Sequence, residues 1–402
     1  GKVARYFVAG SYSKDNGILK TDKRNNFNSN IDLTKITLRS NVNINVIEGT
    51  ELIVRLSGSF DDYTGPIDGG SGMYNKVMHS NPVLFPAYYP VDEQHQYLNH
   101  IMFGNYNEGE YLNPYADMVK GYKDYTRSQM IAQFEMKQDL KWITKGLNAR
   151  VMGNTTRNSY FDVSRSYNPY FYTLTYYDQF SKDYNIAMLN EDTGTEYLGY
   201  DEGPKMVNSD FYLEASMNYN RTFREKHGLS GLLVYIMRET LTANAGNLQE
   251  SLPFRNLGLS GRATYSYADR YFGEFNFGYN GSERFHKKNR FGFFPSAGIA
   301  WNIANEAFWS PIKSIVSGLK LRTSYGLVGN DAIGSPSDRF FYLSIVNMND
   351  ASKSASFGEE QNSYKRNGIT VRRYANEDIT WEVSEKKNLA LEVGLWDKVN
   401  II

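Results

Sequence analysis

The sequence predicts an all-β protein, an antiparallel transmembrane β-barrel segment of about twelve strands with long extracellular loops and short periplasmic turns. Three features lead there. Apolar and polar residues alternate with a period of two in segment after segment, long and short connections alternate between those segments, and the composition favours strands over helices.

Alternation is cleanest at 36–46. Ile36, Leu38, Val42, Ile44 and Val46 share one face of a strand, and Thr37, Arg39, Asn41, Asn43 and Asn45 share the other. The same pattern recurs around Leu52–Phe60, Phe211–Tyr219, Leu257–Tyr267, Tyr271–Tyr279 and Leu319–Tyr325. Strands of roughly ten residues, enough to cross a bilayer when tilted, are expected near 5–13, 34–47, 51–60, 127–139, 146–156, 210–221, 228–238, 256–267, 270–280, 295–303, 319–327 and 380–396.

The connections near 14–33, 61–126, 157–209, 239–255, 281–294 and 328–379 are long, and those near 48–50, 140–145, 222–227 and 268–269 are short. One, at 304–318, is of middling length. Sorting loops by end is a habit of outer-membrane barrels; a soluble sandwich has no reason to do it. Tyr6, Tyr12, Phe60, Trp142, Tyr219, Tyr267, Tyr271, Tyr279, Trp301 and Trp396 lie at or near strand ends, where interfacial aromatic girdles belong.

Among 402 residues there are 32 Tyr, 23 Phe and no Cys, so disulfides, thiolate metal sites and cysteine nucleophiles are excluded. Lys plus Arg and Asp plus Glu both number 44, which gives no reason to expect nucleic acid as a partner. The mean hydropathy of -0.54 does not argue against a membrane barrel, because only every second strand residue meets lipid. No signal pairs the first strand with the last, and unpaired edges are costly in lipid. The chain is therefore expected to be part of a longer barrel.

Residues 253–308 are more specific. Pro253–Arg262 leads into Tyr265–Tyr271, followed by Glu274, Tyr279, Asn280, Gly281, Ser282 and Glu283, then Arg290, Phe291, Gly292 and Pro295, and then Trp301, Asn302, Asn305 and Glu306. With Leu319–Gly326, Gly329–Asp331, Thr380–Glu382 and Asn388–Leu389, these blocks resemble the barrel of the SusC/RagA family of TonB-dependent transporters, with Arg270, Tyr271 and Glu274 among the signature positions. The resemblance implies an outer-membrane importer of glycans or oligopeptides in Bacteroidetes-type bacteria, with a 22-stranded barrel. It also implies a SusD-like surface lipoprotein as lid and energy supplied through TonB and the proton gradient. No plug domain or TonB box is recognisable within 1–402, which reads as part of one barrel domain. Two alternatives stand beside the importer: a passive porin, and a secreted soluble β-rich carbohydrate-binding protein.

No catalytic motif, P-loop or metal-ligand spacing occurs, so neither an enzyme nor a resident cofactor is expected. His95 and His100 share a loop at a spacing that fits no metal motif. Asp61, Asp62 and Asp68, among Gly65, Gly69 and Gly70, make the only stretch suggestive of Ca²⁺, and it departs from the EF-hand pattern; an ordinary polar turn explains it as well. The loops are the candidate contact surface. Tyr88, Tyr89 and Tyr97 crowd one; Tyr167, Tyr170, Phe171, Tyr172, Tyr176, Tyr177 and Phe180 crowd another. Flat rings beside amides and carboxylates suit a lipoprotein lid, a glycan or peptide substrate, or packing of the loops on themselves.

Overall fold

Alternation along the chain becomes two chemically different faces of one sheet. The computed structural model describes residues 3–334, 338–358, 364–396 and 398–401. Its strands are β1 (Ala4–Asn16), β2 (Asp32–Ile47), β3 (Thr50–Gly65), β4 (Phe103–Gly104), β5 (Gly121–Asp139), β6 (Leu147–Ser166), β7 (Phe171–Tyr177), β8 (Tyr184–Met188), β9 (Gly199–Phe223), β10 (His227–Thr242), β11 (Phe254–Tyr267), β12 (Tyr271–Ser282), β13 (Phe291–Asn302), β14 (Gly318–Asn330), β15 (Ile345–Phe357), β16 (Tyr364–Arg373), β17 (Glu382–Leu395) and β18 (Val399–Ile401). Thirteen of them form one antiparallel sheet in the order β1-β2-β3-β5-β6-β9-β10-β11-β12-β13-β14-β17-β18. All twelve strands read from the sequence lie in it.

Register shows the two faces directly. Val42, Val54, Phe134, Gly153, Leu213, Met237 and Leu257 stand opposite one another across seven strands and form an apolar row. One residue further along, Asn41, Arg55, Gln133, Asn154, Tyr212, Arg238 and Asn256 form a polar row on the other face. The apolar face is the outer, lipid-facing one and the polar face lines the lumen. Many large apolar side chains on the outer face, such as Leu38, Leu56, Phe134, Phe275 and Phe293, are solvent-exposed in the isolated chain. That is the burial expected where lipid completes the packing.

The connections sort by end. At one end are 48–49, 140–146, 224–226, 268–270 and 303–317, and at the other 17–31, 66–120, 167–198, 243–253, 283–290 and 331–381. Tight turns close the first end: Arg224 and Glu225, then Ala268 and Asp269, all have positive φ, the hand that matches the twist of the flanking strands. Two expectations need adjusting. The connection at 283–290 is shorter than expected because β12 and β13 extend further. The middling connection is the longest at its end, wound into 3-10 turns at Ile303–Asn305 and Ala307–Ile312.

The long connections are not bare loops. They carry α1 (Gly69–His79) and α2 (Pro114–Val119), the short turn α3 (Leu248–Ser251), a small β4-β7-β8 sheet and the β15-β16 hairpin, none of which alternation revealed. In α2, Asn113 caps the helix by accepting from the Ala116 amide, and Pro114 stands where a helix lacks an internal partner for its N–H. β6 and β9 are 20 and 25 residues long, well beyond the roughly ten needed to cross a bilayer.

Candidate functional site

The lumenal face and the loop end are where this molecule can meet a solute. On the lumenal face of β1 to β9, charged side chains form one continuous ladder. Arg5 Nη2 lies 2.9 Å from Glu51 Oε1, and the Asn43 amide donates to the same oxygen at 2.9 Å. Lys137 bridges Glu51 and Glu135 at 3.9 and 3.5 Å. Glu135 also takes Arg55 at 3.5 Å and Arg150 Nε at 2.8 Å. Arg150 Nη1 reaches Glu214 at 2.5 Å, and the Tyr212 hydroxyl donates to Glu214 at 2.7 Å. Glu135 is only 3% exposed. A carboxylate that buried survives as an ion only when several donors converge on it, and the strand register supplies them from both neighbours.

The lumenal face of β11 to β17 is built differently. Small residues make a floor of Ser296, Gly298, Ala300, Ser324 and Gly326, beneath a recess of about 960 Å³. Around it stand Arg262 on Glu274 at 2.9 Å and Arg322 on Glu392 at 3.1 Å. Lys320 sits 5.1 Å over the Phe272 ring, and Lys386 lies at the rim, exposed. Among the described residues neither lysine has an ion-pair partner.

At the loop end, connections 66–120 and 167–198 fold together around cores of their own. One core holds Ile101, Phe103, Ala116 and Val119, and the other Tyr89, Met102 and Tyr172. This separates the aromatics that the sequence grouped. Tyr89 and Tyr172 are buried inside the loop assembly, Tyr172 at 1% exposure, and serve its packing. Tyr172 shares a hydrogen bond of 2.8 Å with His100, whose ring stacks on Tyr170 at 4.2 Å and whose other nitrogen meets Glu196 at 2.8 Å. Burial pushes the Tyr172 hydroxyl up to about 12, and Tyr167, also half-buried, up to about 12. Tyr88 is partly exposed beneath the Arg24 guanidinium at 5.1 Å. Tyr97, Tyr176, Tyr177 and Phe180 face solvent and are the members free to touch a partner. Tyr176 turns away from Tyr172 on the same strand because a register shift intervenes after Leu174.

The acidic residues of the suggested Ca²⁺ stretch are dispersed: Asp61 and Asp62 lie within β3, Asp62 accepting from Thr126 at 3.0 Å, and Asp68 pairs with Lys76 at 2.7 Å. Among the described residues no group of three or more His, Cys, Asp or Glu could hold a metal. His95 pairs with Asp92 at 2.7 Å, apart from the bonds of His100.

The signature stretch is structural. At the short-turn end Glu306 accepts from Tyr271 at 2.6 Å and Trp301 at 3.1 Å and pairs with Arg270 at 3.4 Å, while Tyr271 stacks parallel to Trp301. Higher up, Tyr279 stacks on Phe291 at 5.1 Å. Gly281 lies where a Cβ would strike Phe291, and Gly292 where one would strike Phe294. Asn280 and Glu274 point to the lumen, and Asn276 donates to Glu274 at 2.8 Å. Pro295, which lacks an N–H, stands just above the last β13–β14 pair. At the loop end the buried Ser282 donates its amide to the Arg290 carbonyl at 2.9 Å and accepts from the Arg284 amide on its hydroxyl at 3.4 Å.

Sequence reasoning missed Arg339. It is 5% exposed, donates to the carbonyls of Gln249, Leu252 and Pro253, pairs with Glu283 at 3.0 Å, and sits between the Phe254 and Phe340 rings. One arginine thus ties three loops together. Nothing local announces it, since its hydrogen-bond and ion-pair partners named above lie more than 50 residues away. Nearby, Glu377 gathers Lys288 at 3.2 Å and His286 at 3.6 Å, and the Lys288 ammonium holds its carboxyl below the usual range.

No family model matches the chain. Over 137 residues it is 37% identical to TonB-dependent receptor P3 of Formosa agariphila, covering 34% of this chain and 12% of that protein. Over 244 residues it is 29% identical to TonB-dependent receptor SusC of Bacteroides thetaiotaomicron, covering 59% and 21%. TonB-dependent receptor P26 of Formosa agariphila is 23% identical over 420 residues, covering 98% of this chain and 37% of that protein. The chain thus spans between 12% and 37% of the length of these relatives. Among solved structures, the RagAB peptide transporter superposes with a TM-score of 0.55 at 16% identity, over 99% of this chain and 42% of that one.

Proposed function

The chain forms part of the barrel of a SusC/RagA-like TonB-dependent transporter of the outer membrane, and from that premise we propose that the whole protein is an energised importer of oligomeric nutrients, oligosaccharides or oligopeptides. A SusD-like surface lipoprotein serves as its lid, and TonB drives it through a segment other than the one described above. The observation that carries this reading is the polarity of the sheet. A hydrophilic lumenal wall leads toward one end, and at that end the connections 66–120 and 167–198 fold together around cores of their own and leave rings exposed. Tyr97, Tyr176 and Tyr177 are the residues assigned to lid or substrate contact, because exposed tyrosines give large contact area at low entropic cost.

The test is extraction of the native protein from outer membranes in mild detergent, mass spectrometry of what accompanies it, and an uptake assay in cells with and without TonB. The expected result is a stoichiometric lipoprotein and uptake that stops without TonB. Uptake that continues at the same rate without TonB would make the barrel a passive porin.

A further inference from the structure

We propose that the outer face of β2 to β9 holds one phosphate-bearing lipid of the outer leaflet, with its phosphate on Arg157 and an acyl chain in the groove beside it. The proposal goes beyond import and rests on the outer-membrane barrel alone.

The argument starts from an unpaired charge on the lipid face. Arg157 stands between Met130 of β5 and Ser209 of β9, in an outer-face row that also holds Leu38 and Gly58. It is exposed, and among the described residues it has no hydrogen-bond or ion-pair partner. Its outward-facing neighbours in charge are satisfied: Lys14 pairs with Asp32 at 3.0 Å, Lys205 with Glu202 at 2.7 Å and Arg255 with Glu239 at 2.8 Å. A guanidinium facing lipid carries a cost, smallest near the interface. A phosphate placed there reverses it, because two of its oxygens accept the paired N–H groups of the guanidinium.

Depth fits a headgroup. The row lies about ten residues above the turn at 48–49, near the upper interface. The next outer row above it holds Tyr12 and Phe60, rings that belong at headgroup level, and the hydroxyls of Ser128 and Ser159, 2.6 Å apart. The next row below, from Val8 on β1 through Leu56 and Ala132 to Phe211 on β9, carries no charge. Arg157 therefore stands where polar surface gives way to apolar surface.

Shape supplies a place for the chain. A groove of about 730 Å³ opens beside Arg157 on the outer face. Leu38, Leu56, Phe60 and Met130 stand around it, and Gly58 and Ala132 keep its floor low. Apolar packing by itself selects no lipid, because every lipid offers a chain as apolar as the groove. Only an anionic headgroup offers the guanidinium a partner. Selection thus comes from the phosphate, and the groove fixes the side of Arg157 on which the chain lies.

The experiment is native mass spectrometry of the full-length transporter in detergent with lipid A, with lipid A stripped of its phosphates, and with inorganic phosphate. Lipid A is expected to bind about tenfold more tightly than its dephosphorylated form. Arg157→Gln should reduce that preference to under about twofold, and Arg157→Lys, which keeps the charge without the fork, should hold an intermediate one. Ala132→Phe, which fills the floor of the groove, should weaken both lipids alike. Heat-modifiable gel migration shows that each variant is folded. Equal binding of the two lipids, a preference untouched in the Arg157→Gln variant, or undiminished binding in the Ala132→Phe variant each overturns the proposal. Inorganic phosphate bound as tightly as lipid A would make Arg157 a site for free anions only and overturn it too. A dimer that Ala132→Phe dissociates would give the face to a second copy of the chain in place of the lipid. None of these outcomes bears on uptake, so the importer reading stands or falls separately.

Discussion

The two halves of the lumenal wall solve the problem of a hydrophilic interior in opposite ways. From β1 to β9 the wall is full: Arg5, Glu51, Lys137, Glu135, Arg150 and Glu214 pair with one another in sequence. From β11 to β17 it is open, with a floor of small residues and ion pairs at its margins that leave lysines over. A saturated charge ladder holds strands together and has little left to offer a solute. An open wall contributes little to stability and keeps its charges available.

The sharpest way to break this comparison is to remove the centre of the ladder. Glu135→Ala leaves Arg150, Arg55 and Lys137 without their shared carboxylate and is expected to cost about 3 kcal/mol, read from the urea midpoint of barrel unfolding. The matching change in the open half, Glu274→Ala, removes one exposed pair and should cost under about 1 kcal/mol. Equal losses would mean that the two walls are braced alike.

Facing and depth give the second prediction. Val54 lies five residues above the turn at 48–49, near mid-membrane, so Val54→Arg should cost about 2–4 kcal/mol in folding. Leu38, also on the outer face, lies about ten residues above that turn near the upper interface, where Leu38→Arg should cost only about 0–1 kcal/mol. Thr37→Arg enters the lumen and should fold as the parent does. Folding yields in lipid vesicles rank the three, and a Thr37 variant worse than the Val54 variant would reverse the assignment of faces.

The smallest expected effect is a pH response of the loops. The Arg24 guanidinium, with help from the Tyr115 hydroxyl, holds the Asp22 carboxyl well below the usual carboxylate range. A depressed carboxylate stabilises above its unfolded value and loses that contribution as pH falls below about 4. Hydrogen exchange in 17–31 should therefore be faster at pH 3 than at pH 5 once corrected for intrinsic rates, and Asp22→Asn should abolish the difference.

What the sequence disclosed, and what it concealed, follows one physical line. Strands that cross a bilayer must alternate, because lipid and water meet opposite faces of the same backbone, so Ile36 to Val46 could be read at sight. The loop cap obeys no such rule. Tyr172 and Tyr176 sit four residues apart in the same aromatic run, yet one is core and the other surface because of a register shift. Arg339 is likewise defined by partners from distant loops. Candidate contact residues were therefore legible as a group, and only packing divided them. The lumenal recess was visible in part, since the alternation around Leu257–Tyr267, Tyr271–Tyr279 and Leu319–Tyr325 puts Arg262, Thr264, Glu274 and Ser324 on the polar faces of three strands, but which of them meet depends on register.

The long strands have a consequence for where the protein presents itself. At about 3.3 Å per residue, the 25 residues of β9 run about 80 Å, and tilted by about 40° they rise about 60 Å, twice the thickness of the hydrocarbon layer. About half of that wall is therefore a freestanding parapet, wet on both sides. Whatever engages the cap does so a full bilayer's height from the lipid, so an antibody or protease should find the upper part of β9 on intact cells while its lower half stays hidden.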